Sequence, residues 1–137
     1  MKPIAENLFE QGPEGAHLLA GRDKRSGRLV FPLPQGAASA DFGRVRLSRR
    51  GRLWSWTVQR FRPKPPFALP EDQPFAPYAV GYVELADELI VESRLRVDDF
   101  GSLRIGQAME LVVEPLCRDA AGEMVATYAF RPVQEAV

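Results

Sequence analysis

Arg52-Leu53-Trp54-Ser55-Trp56-Thr57-Val58 decides the fold class. Aromatic and β-branched residues dominate this stretch, and such side chains fit a pleated, half-buried surface better than a helix. Simple alternation puts Trp54, Trp56 and Val58 on one face and Leu53, Ser55 and Thr57 on the other. Downstream the strand stops at Pro63. Six prolines then fall between residues 63 and 77 (Pro63, Pro65, Pro66, Pro70, Pro74 and Pro77). Proline cannot donate to a ladder, so this segment reads as a long loop. A second strand follows over Tyr78 to Leu85, apolar on both faces and therefore central. Asp87-Glu88 turns the chain into Leu89 to Val97. Leu103-Arg104-Ile105-Gly106-Gln107 is a tight return into Ala108 to Leu116, and Asp119 to Glu123 is a hairpin loop before Met124 to Phe130.

Upstream, Val45 and Leu47 alternate with arginines, so residues 44–50 read as a half-exposed strand with a turn or bulge at Arg50-Gly51. Many short strands with Gly and Pro punctuation predict a small, mainly β protein. The expected architecture is a five-stranded barrel from 44–50, 52–61, 78–85, 89–97 and 108–116, closed by 124–130, with one of these six at an edge or extending its neighbour. Before it, Asn7 to Leu19 reads as a short helix weakened by Gly12, Pro13 and Gly15. Gly21 to Gly27 is a charged turn, Arg28 to Phe31 a short strand, and Gln35 to Phe42 a loop. The expected division is residues 1–43 and a barrel over 44–137.

The chain has 137 residues, enough for a modest core, and is 45% apolar. Eighteen basic residues balance eighteen acidic ones. That balance disfavours a nucleic-acid partner, which usually demands a basic excess. No apolar run approaches the ~18 residues that would cross a membrane, and the N-terminus lacks a secretory pattern. A cytoplasmic protein is the default expectation. Cys117 is the only cysteine, which excludes an internal disulfide and a multi-cysteine zinc site.

No nucleophile–base set is visible, so no catalytic residue is assigned. His17 is the only histidine and sits beside Leu18, a structural setting. Cys117 follows an apolar strand and reads as a small hydrophobe. Asp98-Asp99 fits a turn better than an acid–base pair.

The charge is uneven: Arg44 to Lys64 contains arginines and a lysine but no acidic residue. Trp54, Trp56 and Phe61 among these cations resemble the stacking platform of a barrel that binds single-stranded nucleic acid. In the plainer reading, at least one tryptophan fills the barrel wall. The same basic strip suits the phosphates of coenzyme A, and Glu71 and Asp72 interrupt it for a longer polyanion. The prolines stiffen a loop that presents Phe67 and Phe75. The expected ligand or partner surface is therefore Trp56, Arg60, Arg62, Lys64, Phe67, Phe75 and Tyr78, with no metal.

The ordered set Gly51, Thr57-Val58, Pro77-Tyr78, Val83-Glu84-Leu85, Leu103-Arg104-Ile105-Gly106 and Phe130-Arg131-Pro132 resembles the acyl-CoA-associated OB-fold family, over roughly residues 15 to 132. Members of that family carry a rubredoxin-like zinc ribbon before the barrel. Here Gly27 and Phe31-Pro32 stand in the ribbon's register, but Asp23 and Ser26 occupy the first cysteine pair and no thiol lies near Gln35 to Ala40. The resemblance implies an OB-fold with a ribbon-like hairpin that has lost its zinc ligands. It also implies a non-catalytic accessory subunit or acyl-CoA-binding module beside a thiolase-like or hydratase-like enzyme. A coenzyme A thioester is the implied ligand, no structural cofactor is implied, and self-association stays open. The alternative is a single-stranded nucleic-acid-binding OB module.

Overall fold

Ten strands are present in a computed structural model that describes residues 2–3, 7–13, 15–61, 75–86 and 89–133. They are β1 (Lys2–Pro3), β2 (Phe9–Gly12), β3 (Gly15–Asp23), β4 (Leu29–Val30), β5 (Phe42–Arg46), β6 (Arg50–Gln59), β7 (Tyr78–Leu85), β8 (Ile90–Leu95), β9 (Ala108–Arg118) and β10 (Met124–Pro132). No helix among the described residues is long and apolar enough to cross a membrane.

Five strands close on themselves. β9, β6, β7 and β8 follow one another through antiparallel pairs, and β8 then meets β10 in parallel at Ala129↔Arg94 and Phe130↔Leu95. The β9–β10 hairpin completes the ring, so every barrel strand has two neighbours. A five-stranded OB-type barrel is thus the observed fold, with β6 to β10 matching five of the six expected strands. The sixth, at residues 44–50, is the outlier. Its observed part, β5, pairs with β3 rather than with a barrel strand.

The expected N-terminal helix is corrected to a hairpin. β2 and β3 pair antiparallel from Phe9↔Leu18 to Gly12↔Gly15, and β3 also pairs with β4 and β5. Gly12, Pro13 and Gly15 are turn residues, and Gly15 sits at φ +120°, where a helix cannot run. Ala16, Leu18 and Ala20 then recur with a period of two and point inward. Backbone partners supplied by β5, some 25 residues away, override the weak local helix preference.

The core is continuous through both sheets. Ala16, Leu18, Ala20 and Leu47 belong to the same buried cluster as Leu53, Val83, Val91, Met109, Leu111 and Phe130. Arg49 ties the two together, because its guanidinium donates to the Ala16 carbonyl at 3.0 Å and to the Leu111 carbonyl at 3.4 Å. Gly51 lies where β6 passes between β7 and β9, and a Cβ there would come within 2.4 Å of the Glu84 carbonyl oxygen. That close approach explains why the second residue of β6 is glycine.

The turn at the end of β3 is held by a carboxylate. The Asp23 carboxylate accepts from the backbone N–H of Arg25 at 2.8 Å and of Ser26 at 3.3 Å. Those two hydrogen bonds, the Arg25 one first, hold the Asp23 carboxyl below its ordinary value. Gly27 then reverses the chain at φ +76°. Among the described residues no three His, Cys, Asp or Glu side chains converge, so the residues here do not fit a tetrahedral zinc site.

Candidate functional site

The β6 strand does not alternate as its sequence suggests. The register slips between Leu53↔Val83 and Ser55↔Tyr82, leaving Trp54 as the extra residue of a β-bulge. Leu53 is buried, Trp54 is 57% exposed, and Trp56 packs against the core cluster. The expected shared face of Trp54 and Trp56 is therefore corrected, because one inserted residue reverses the side-chain order beyond it. One tryptophan does line the barrel wall, and it is Trp56.

Trp54 meets Tyr82 edge-on outside the barrel, with ring centroids 6.3 Å apart.

At the far end of β6, Gln59 pairs with Tyr78, so the exposed Arg60 lies beside the start of β7. Phe75 packs edge-on to Tyr78, with centroids 6.1 Å apart. Arg62, Lys64 and Phe67 lie outside the described residues. The structure thus brings Phe75 and Tyr78 together, sets Arg60 near them, and turns Trp56 into the core.

The rest of the basic run is largely engaged. Arg44 and Arg46 both pair with Glu10, whose carboxyl is held below its ordinary value chiefly by the Arg46 hydrogen bond. Arg50 pairs with Glu110 at 3.7 Å, and Arg52 donates to the Gly106 carbonyl at 3.2 Å. These contacts leave no continuous cationic strip along β5 and β6 for a polyanion to follow.

Beyond Tyr78 the outer surface opens into a groove of about 410 Å³, lined by Tyr78, Val80, Glu92, Arg94, Leu116 and Tyr128. Its floor is built by three strands of the barrel: β7 and β8 meet at Val80↔Arg94, and β10 joins β8 beside them. The Arg94 guanidinium carbon lies 4.3 Å from the centroid of the Tyr78 ring. Cation–π contact of this kind orients a guanidinium without consuming its N–H donors. The Tyr128 hydroxyl donates to the Glu92 carbonyl at 2.8 Å, and its ring meets Phe31 edge-on. Burial first, and then the Glu92 charge, push the Tyr128 phenol up to about 12. It is neutral at any ordinary pH.

The sequence reading missed Glu92, Arg94, Leu116 and Tyr128. Alternation within Leu89 to Val97 does place Glu92 and Arg94 on one outward face. Only the cross-strand register places that face against Tyr78.

The His17 Nδ1–H donates to the Leu47 carbonyl at 2.9 Å, a structural bond joining β3 to the β5–β6 connection. Asp99 accepts from the Gly101 N–H at 2.9 Å and shapes a turn, as expected. Cys117 is half-buried opposite Val125.

A family model described as the ChsH2, C-terminal OB-fold domain matches residues 44–114. The chain belongs to this OB-fold family. The match runs from β5 into β9 and includes Tyr78, Val80, Glu92 and Arg94 but not Tyr128. A solved Ltp2–ChsH2(DUF35) aldolase is similar over 85% of this chain and 84% of that chain, with a TM-score of 0.57 and 24% sequence identity. At that identity the likeness shows the fold, and it extends beyond the family match into the N-terminal part or the last hairpin. No curated protein matches the chain.

Proposed function

We propose that this chain is a non-catalytic accessory module of acyl-CoA metabolism that docks on a thiolase-like or hydratase-like enzyme and helps form its acyl-CoA site. Membership of the ChsH2 OB-fold family carries the reading. The similar solved structure, named Ltp2–ChsH2(DUF35) aldolase, supports an enzyme partner for this chain as well. The chemistry of the chain agrees. His17 is committed to a backbone carbonyl, and the turn aspartates are committed to backbone N–H groups. The partner therefore supplies the nucleophile and base, while this chain supplies surface. The docking face combines Arg60, Arg62 and Lys64 with Phe67, Phe75 and Tyr78, where cations and aromatic area lie close together along the chain.

The test is co-purification of the tagged full chain with a thiolase-like enzyme encoded beside it, followed by turnover assays on acyl-CoA. A defined complex that is active, with an inactive accessory chain alone, is the expected result. Turnover by the isolated chain that survives loss of both His17 and Cys117 would overturn the non-catalytic reading. Charge reversal at Arg60, Arg62 and Lys64 should weaken the complex or coenzyme A binding at least about tenfold.

A further inference from the structure

Arg94 stands out as an underused cation. Arg94 is half-buried and its guanidinium stacks on Tyr78, yet among the described residues it makes no ion pair and no side-chain hydrogen bond. Arginines in such settings normally find a carboxylate or phosphate, because the planar fork matches two oxygens at once. Here the fork faces a groove of about 410 Å³, within the range that holds a small organic ligand.

The groove carries two opposite charges. Glu92 sits two residues before Arg94 on the same outward face of β8, roughly 7 Å along the strand. Glu92 and Arg94 form no ion pair with each other, so each is presented separately to a ligand. The remaining walls are Val80, Leu116, the Tyr78 and Tyr128 rings, and the smaller Ser93 and Thr127. The Tyr128 hydroxyl is already committed to the Glu92 carbonyl. A ligand that matches this lining needs an anionic head for Arg94, then a short apolar section. It also needs a hydroxyl or amide N–H that can donate to Glu92. A second anionic group beside Glu92 would be repelled.

We propose that the groove takes a phosphorylated pantetheine arm, with its phosphate on Arg94. Such an arm carries, in order, a phosphate, a dimethyl-substituted carbon, a hydroxyl and amide N–H groups. Those groups match the cation, the apolar wall and the carboxylate that line the groove. The proposal rests on the acyl-CoA reading above and names the part of the ligand that this chain would hold. The same arm occurs on free coenzyme A thioesters and on carrier proteins.

The test uses the full chain and calorimetry with coenzyme A, 4′-phosphopantetheine, unphosphorylated pantetheine, inorganic phosphate and a phosphopantetheinylated carrier protein. Coenzyme A and phosphopantetheine should bind within a factor of about three of each other. Pantetheine and inorganic phosphate should each bind at least about tenfold more weakly, a difference of about 1.4 kcal/mol. Arg94→Gln should lose at least about tenfold for both phosphorylated ligands, with the β-sheet circular dichroism unchanged. Arg94→Lys should recover only part of that loss, since it keeps the charge without the fork. Carrier-protein binding tighter than coenzyme A would assign the arm to a carrier, and the reverse order to the free coenzyme; either supports the groove. Wild-type affinity in Arg94→Gln would overturn the proposal, as would inorganic phosphate binding as tightly as phosphopantetheine. A chain that captures its partner enzyme but binds none of these probes would overturn it and leave the accessory reading standing. Coenzyme A binding lost on charge reversal at Arg60, Arg62 and Lys64, but kept in Arg94→Gln, would overturn it in favour of the loop surface.

Discussion

From Arg50 to Pro132 the chain closes a barrel in which each of five strands has a partner on both sides. From Phe9 to Arg46 it forms an open sheet in which β4 contributes two residues and β2 is an edge. The barrel satisfies its own backbone and surrounds Leu53, Val83, Val91, Met109, Leu111 and Phe130. The open sheet does neither by itself. It inserts Ala16, Leu18 and Ala20 into the barrel's cluster and holds its outer side with Glu10, Arg44 and Arg46. The difference teaches that burial fixes the barrel, whereas the N-terminal sheet combines borrowed burial with exposed charge.

The largest expected effect is inside the barrel. Phe130→Ala should cost about 3–5 kcal/mol, because Phe130 is fully buried where β10 meets β8 and truncation leaves a cavity. Chemical denaturation should show one cooperative transition at a much lower midpoint. Leu18→Ala comes next, at about 2–4 kcal/mol. It sharpens the comparison, since Leu18 sits in the open sheet but packs in the shared cluster. Tryptophan fluorescence reports on β6, so its unfolding midpoint should fall with Leu18→Ala. An unchanged midpoint would show that the barrel stands without the N-terminal sheet.

Tyr128→Phe should cost about 1 kcal/mol at neutral pH, through loss of the hydrogen bond to Glu92. It also has an alkaline signature. The folded-state phenol is raised to about 12, so the stability tied to its neutral form is complete below about pH 10. That stability is lost as pH rises through about 12. Unfolding followed from pH 9 to 12 should show this fall in the wild type and not in Tyr128→Phe.

The smallest effect lies on the charged side of the open sheet. The Glu10 carboxyl is held below its ordinary value, so its contribution is present at neutral pH and lost as pH falls through the lowered value. Glu10→Gln should raise amide exchange in β2 and β5 by no more than about fivefold and leave β7 and β8 unchanged, since exposed ion pairs contribute little. A barrel-wide change in exchange would break the distinction between the two regions.

Most of the barrel was legible along the chain. Tyr78 to Leu85 was read at its observed bounds, and the prolines between 63 and 77 separated it from β6. The ordered motif from Gly51 to Pro132 pointed to the family that the comparison bears out. The candidate site was legible only in part. Phe75 and Tyr78 were found because they flank the loop in sequence. Arg94 and Tyr128 were not, because they come from strands 16 and 50 residues further on.

The sequence by itself determined the β class, the strand spacing, the absence of paired thiols and the family resemblance. Those features depend on local backbone preference and on residue order. Tertiary structure alone decided that residues 9–23 form a hairpin, since β5 supplies hydrogen bonds that no local rule contains. It alone decided that Trp54 points outward and Trp56 inward, because the bulge is defined by pairing with β7. It also decided that Arg94 lies over Tyr78, a contact set by the register of two strands and by the curvature that closes the barrel.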